Sequence, residues 1–60
     1  MNTMNKGQLV KILCGESVHK GEVVRVATID IRNDKKIIGV TDTHGYWVGR
    51  YWEDDLEVVE

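Results

Sequence analysis

"EVVRVATIDIR", residues 22–32, places six β-branched side chains in eleven positions, a composition that favours an extended strand. Its apolar positions change phase part-way along. Val24 and Val26 fall on one face of a strand, whereas Ile29 and Ile31 fall on the other, because successive side chains alternate. The switch lies at Ala27 and Thr28. A bulge or sharp bend there lets one long strand serve two sheets, as a small closed barrel requires.

Working outward from that stretch, the chain reads as strands joined by turns. In "QLVKILC" (8–14), Val10 and Ile12 form an inward pair and Lys11 points out; "GESVHKG" (15–21) is a polar loop closed by Gly15 and Gly21. "RNDKK" (32–36) reverses the chain, with Asn33 and Asp34 tolerating left-handed turn geometry. "IIGVTD" (37–42) returns with Ile38 and Val40 facing in, and "THGY" (43–46) makes a second hairpin with Gly45 at positive φ. "YWVGRYW" (46–52) is the next strand, "WEDD" (52–55) a single helical turn, and "LEVV" (56–59) a last strand with Leu56 and Val58 inward. Apolar residues recur at two rather than at three and four, and there is no proline. The fold expected is all-β: a five-stranded SH3-like small barrel over residues 7–60, with a single helical turn before the last strand. Residues 1–6 are expected to form a flexible N-terminus.

Two stretches carry a family resemblance. "KGQLVKILCGES" (6–17), followed by "GEVVRVATID" (21–30), resembles the opening of photosystem I subunit IV, the E subunit. The closing "YWEDDLEVV" (51–59) is similar to that family's ending of an aromatic, an acid-rich turn and L-E-V-V, and to the endings of related thylakoid accessory subunits. The resemblance implies the barrel. This chain departs from the family at Val18 and His19, where the E subunit has aromatic residues, and lacks its long loop before the final strand. The Gly-x-Val strand after a loop also looks like nucleic-acid-binding KOW barrels. Plasmid-type dihydrofolate reductases are barrels of similar size, but their pore carries V-Q-I-Y where this chain has "WVGRYW".

Length and composition bound the function. Sixty residues make one domain, and a chain this short buries only about 60% of its unfolded surface. The lone Cys14 excludes an internal disulfide, and His19 and His44 lie too far apart for a zinc staple. A single cysteine fits a reducing compartment. No stretch is long and apolar enough to cross a membrane, and "MNTMNKGQ" is not a signal peptide, so a cytoplasmic location without membrane insertion is expected. The net charge of −2 divides unevenly: residues 1–50 carry eight bases and five acids, whereas residues 51–60 carry five acids and no base. That polarity disfavours uniform non-specific binding to nucleic acid.

No catalytic set is evident. Neither histidine has a nucleophile and an orienting acid at useful spacing, Glu53, Asp54 and Asp55 lack the glycine-punctuated loop of a calcium site, and Gly15 and Gly21 fit no phosphate-binding fingerprint. Neither enzyme activity, cofactor nor metal is expected. The positive signal is aromatic: both tryptophans and both tyrosines fall within residues 46–52. On a regular strand Tyr46, Val48, Arg50 and Trp52 face one way, and Trp47, Gly49 and Tyr51 the other. Val10, Ile12, Val23, Ile38, Val40, Leu56 and Val58 already occupy much of the interior, so one Trp and one Tyr are expected inside and the other pair outside.

Trp, Tyr and Arg are the residue types enriched in binding hot spots. The expected site is Tyr46, Arg50 and Trp52 together with Glu16, His19 and Lys20 of the early loop, facing a protein partner across a groove of mixed charge. Single-stranded nucleic acid is the alternative, with Lys35 and Lys36 as phosphate contacts against the repulsion of residues 53–55. Self-association into a homo-oligomer is the third reading.

Overall fold

The phase change in residues 22–32 appears as a break in strand pairing. A computed structural model of the chain describes residues 4–59. Its strands are β1 (Leu9–Ile12), β2 (Val23–Arg32), β3 (Lys35–Thr41), β4 (Trp47–Trp52) and β5 (Leu56–Val58), with a 3₁₀ turn at Glu53–Asp55. The start of β2 pairs with β1, placing Val24 opposite Val10, and the remainder pairs with β3 as far as Arg32 opposite Lys35. The register shifts between Val26 and Thr28, so Ala27 is the extra residue. That bulge lets Val26 and Ile29 both turn toward the core although they are three positions apart.

All the pairings are antiparallel, and the five strands form one sheet in the order β4-β3-β2-β1-β5. The last strand returns beside the first, with Leu56 opposite Ile12 and Val58 opposite Val10. This is the SH3-like order. The radius of gyration, 10.3 Å, matches the value of about 10 Å for a packed domain of this length.

The interior consists of Met4, Val10, Ile12, Val24, Val26, Ile38, Val40 and Leu56, and among the described residues every buried side chain is apolar. Cys14, Ile29, Val48, Tyr51 and Val58 pack around this set. One core assignment is corrected. Val23 is exposed, because it stands opposite the outward Lys11, and Val24 takes the interior place opposite Val10. The packed part of the chain also begins before Gly7. Met4 is only 3% exposed, and the Gly7 N–H donates to the Val26 carbonyl at 2.8 Å. Of the N-terminal stretch 1–6, residues 1–3 lie outside the described residues.

The two hairpins follow from their turn residues. Asn33 (φ 51°) and Asp34 (φ 64°) both sit in the left-handed region, the geometry of a type I′ turn whose twist suits the flanking strands. Asn-Gly is the preferred pair there, and a non-glycine residue in this region costs roughly 1 kcal/mol. Asp34→Gly is therefore expected to raise the thermal midpoint by about 4–8 °C, as read by calorimetry. In the second hairpin, Gly45 has φ 92°, and Asp42 Oδ1 accepts from the N–H groups of His44 and Tyr46 at 2.9 Å each. Among the described residues no helix is long and apolar enough to cross a membrane.

Candidate functional site

A second bulge, not foreseen from the sequence, decides which rings meet water. β4 pairs with β3 through Ile37↔Trp52, Ile38↔Tyr51, Gly39↔Arg50 and Val40↔Gly49, and then jumps to Thr41↔Trp47. Val48 is the extra residue. It drops toward the core with Tyr51, while Trp47, Arg50 and Trp52 are left together on the outer face of the sheet. Two expectations are thereby corrected. Val48 does not share a face with Arg50 and Trp52, and the interior takes one aromatic side chain, Tyr51, in place of a Trp–Tyr pair. Tyr46 is 73% exposed, Trp47 56% and Trp52 45%.

The outer face owes its shape to Gly39. This residue is buried although it points outward, because the Trp47 indole and the Thr28 side chain lie across it. Arg50 stands opposite Gly39 and Trp52 opposite Ile37, so two half-exposed indoles bracket an arginine along roughly 15 Å of strand. Tyr46 precedes β4, roughly 20 Å of strand from Trp52.

Trp52 separates two clefts of opposite charge. On one side lies a cleft of about 420 Å³ between the tip of the β2–β3 hairpin and the 3₁₀ turn. Its walls carry the carboxylates of Asp34, Glu53, Asp54 and Asp55 against the ammonium groups of Lys35 and Lys36. Lys36 pairs with Glu53 at 3.7 Å, and Lys35 Nζ lies 5.9 Å from the Trp52 ring centroid, within cation–π range. The 3₁₀ turn is held in place by the Leu13 N–H, which donates to the Asp55 carbonyl at 2.8 Å. On the other side is a shallower cleft of about 250 Å³, lined by Arg32, Ile37, Arg50, Tyr51 and Trp52. Asp30, opposite Ile37, is the acid on the neighbouring part of that face.

The early loop meets β4 elsewhere. Ser17 Oγ and Tyr51 Oη share a hydrogen bond of 2.8 Å, and Ser17 Oγ also accepts from the His19 N–H at 3.0 Å. His19 Nδ1 lies 3.0 Å from Glu22 Oε2. Because Tyr51 and Trp52 point to opposite faces, the loop carrying Glu16, His19 and Lys20 is not brought together with Arg50 and Trp52. Lys35 and Lys36 also alternate: Lys35 shares the outer face with Trp52, whereas Lys36 turns to Glu53.

No family model, curated protein or solved structure matches this chain. Among the described residues no group of three or more His, Cys, Asp or Glu side chains is placed to hold a metal ion. The residues that join Arg50 and Trp52 are Trp47, Ile37 and Arg32, which sequence reasoning did not assign to the site. The missing signal was register: Ile37 and Arg32 reach the face only through pairing across three strands.

Proposed function

We propose that this chain is a small non-catalytic binding module, an accessory subunit, adaptor or inhibitor, that docks on a protein partner through the outer face of β3 and β4. Trp47, Arg50 and Trp52 are its anchors. The observation that supports this reading is the pair of half-exposed indoles on one sheet face with an arginine between them. A buried Trp covers about 150–250 Å², so each ring leaves roughly 100 Å² uncovered. Covering that area is worth about 2.5 kcal/mol per ring, the size of a binding hot spot.

The test compares wild-type bait with the Trp47→Ala/Trp52→Ala double variant in capture from native extract. Each truncation is expected to weaken retention of the specific partner about 60-fold. The single Trp52→Ala change is expected to move the thermal midpoint by less than about 8 °C, because half of that ring is already in water. If the double variant stays folded and retains the same proteins as wild type, the proposal fails.

Single-stranded nucleic acid is a second reading, favoured by the Trp47–Arg50 half of the face, where bases would stack and phosphates would meet a guanidinium. It predicts salt-sensitive binding of an oligonucleotide. A flat titration at low ionic strength removes it.

A further inference from the structure

We infer that the face around Trp52 recognises a partner segment of mixed charge, seating a Lys or Arg side chain in the acid-walled cleft and an Asp or Glu side chain between Arg32 and Arg50. This rests on the docking reading above and assigns its partner a chemistry. The acid-walled cleft sets four carboxylates against two ammonium groups, a formal balance of −2, while the cleft on the far side of the same indole is lined by two guanidinium groups, with Asp30 on the neighbouring strand beside its Ile37, a formal balance of +1. The face of Trp52 already carries a cation, the Lys35 ammonium at 5.9 Å. A partner's guanidinium that displaces Lys35 there would meet the same ring with carboxylates of the 3₁₀ turn beside it, and Arg stacks on aromatic faces better than Lys does. The volume of about 420 Å³ lies within the range of small-ligand sites, enough for one long side chain with its backbone.

Spacing narrows the partner further. Arg50 and Trp52 are two residues apart, roughly 7 Å, and the acids follow Trp52 directly. An extended segment presents residues four apart on the same side roughly 13 Å apart, about twice the Arg50–Trp52 interval, so a cation and an anion at that spacing straddle Trp52. A polyanion satisfies only half of this face: its phosphates fit Arg32 and Arg50 but meet uncompensated carboxylates past the ring. The two-sided charge therefore favours a protein segment over a nucleic acid.

The experiment follows the two indole Nε1–H resonances of the full chain by NMR. The probes are four: a short Gly/Ser peptide with one Arg and one Glu four residues apart, tested in both orders; a peptide with two Glu at that spacing; a peptide with two Arg at that spacing; and an oligothymidylate. The Arg/Glu peptide is expected to move the Trp52 resonance and to bind roughly tenfold tighter than either single-sign peptide. Asp54→Asn with Asp55→Asn is expected to erase the advantage over the two-Glu peptide, and Arg32→Gln with Arg50→Gln the advantage over the two-Arg peptide. All four are exposed or half-buried surface positions, whose change leaves the core intact. If the two-Glu peptide or the oligothymidylate moves Trp52 as strongly as the Arg/Glu peptide, the mixed-charge assignment is overturned while the face survives as a docking surface. If no probe moves either indole, the docking reading falls with it.

Discussion

Ile38→Ala is expected to leave the chain largely unfolded at 25 °C. Ile38 is fully buried in β3, one strand in from the β4 edge, with Ile29 opposite on one side and Tyr51 on the other. Removing a buried isoleucine to alanine costs about 2–5 kcal/mol, since the cavity collapses only in part. A single core in a domain below about 70 residues rarely supplies more than 3–5 kcal/mol in total. The two magnitudes are comparable, so the folded state loses its majority. Urea unfolding followed by tryptophan fluorescence reads this directly, and Ile31→Ala is the control. Ile31 lies on the overhanging end of the β2–β3 hairpin, 70% exposed, and its truncation is expected to move stability by less than about 0.5 kcal/mol. A cooperative transition for Ile38→Ala close to that of wild type would falsify the placement of β3 at the centre of the core.

The contrast between the two isoleucines also marks what was legible in the sequence. The β2 bulge could be read because its apolar residues change phase, and a strand with one buried face permits that only where a residue is added. Both turns could be read from Asn33, Asp34 and Gly45, whose φ values only a few residue types accept. The β4 bulge could not. "YWVGRYW" carries a large side chain at almost every position and alternates acceptably in either phase, so local pattern does not choose. The choice is made across the sheet, where Val40 pairs with Gly49 and the next pair is Thr41 with Trp47. Adjacent Val23 and Val24 pose the same ambiguity, settled by which one faces Val10. The site inherits this limit. Arg50 and Trp52 were identifiable by type, but Ile37 and Arg32 join them through long-range register, and the early loop meets β4 through Ser17 on the opposite face.

Gly39→Ala is expected to damage fold and site together, and the way in which it does so tests their linkage. A Cβ at this position would lie 2.6 Å from Cη2 of Trp47 and closer still to the Thr28 hydroxyl oxygen. No carbon sits so near another, so the indole must lift from the sheet or the strands must separate. Overpacking of this kind costs about 1–3 kcal/mol, a large share of what so small a domain has. Because the obstructing atoms belong to side chains, relief has a defined route. In a Trp47→Ala background with Thr28→Ala, which removes both obstructing groups, the same glycine substitution is expected to cost less than about 0.5 kcal/mol, and the difference between the two backgrounds is the coupling energy. Binding supplies an independent reading, since a displaced Trp47 indole no longer lies in line with Arg50 and Trp52. In folded Gly39→Ala protein its Nε1–H resonance should shift while that of Trp52 stays in place. Equal costs in both backgrounds would mean that Gly39 is needed for the backbone of β3 itself, and that Trp47 reaches the outer face by some means other than the room this glycine leaves.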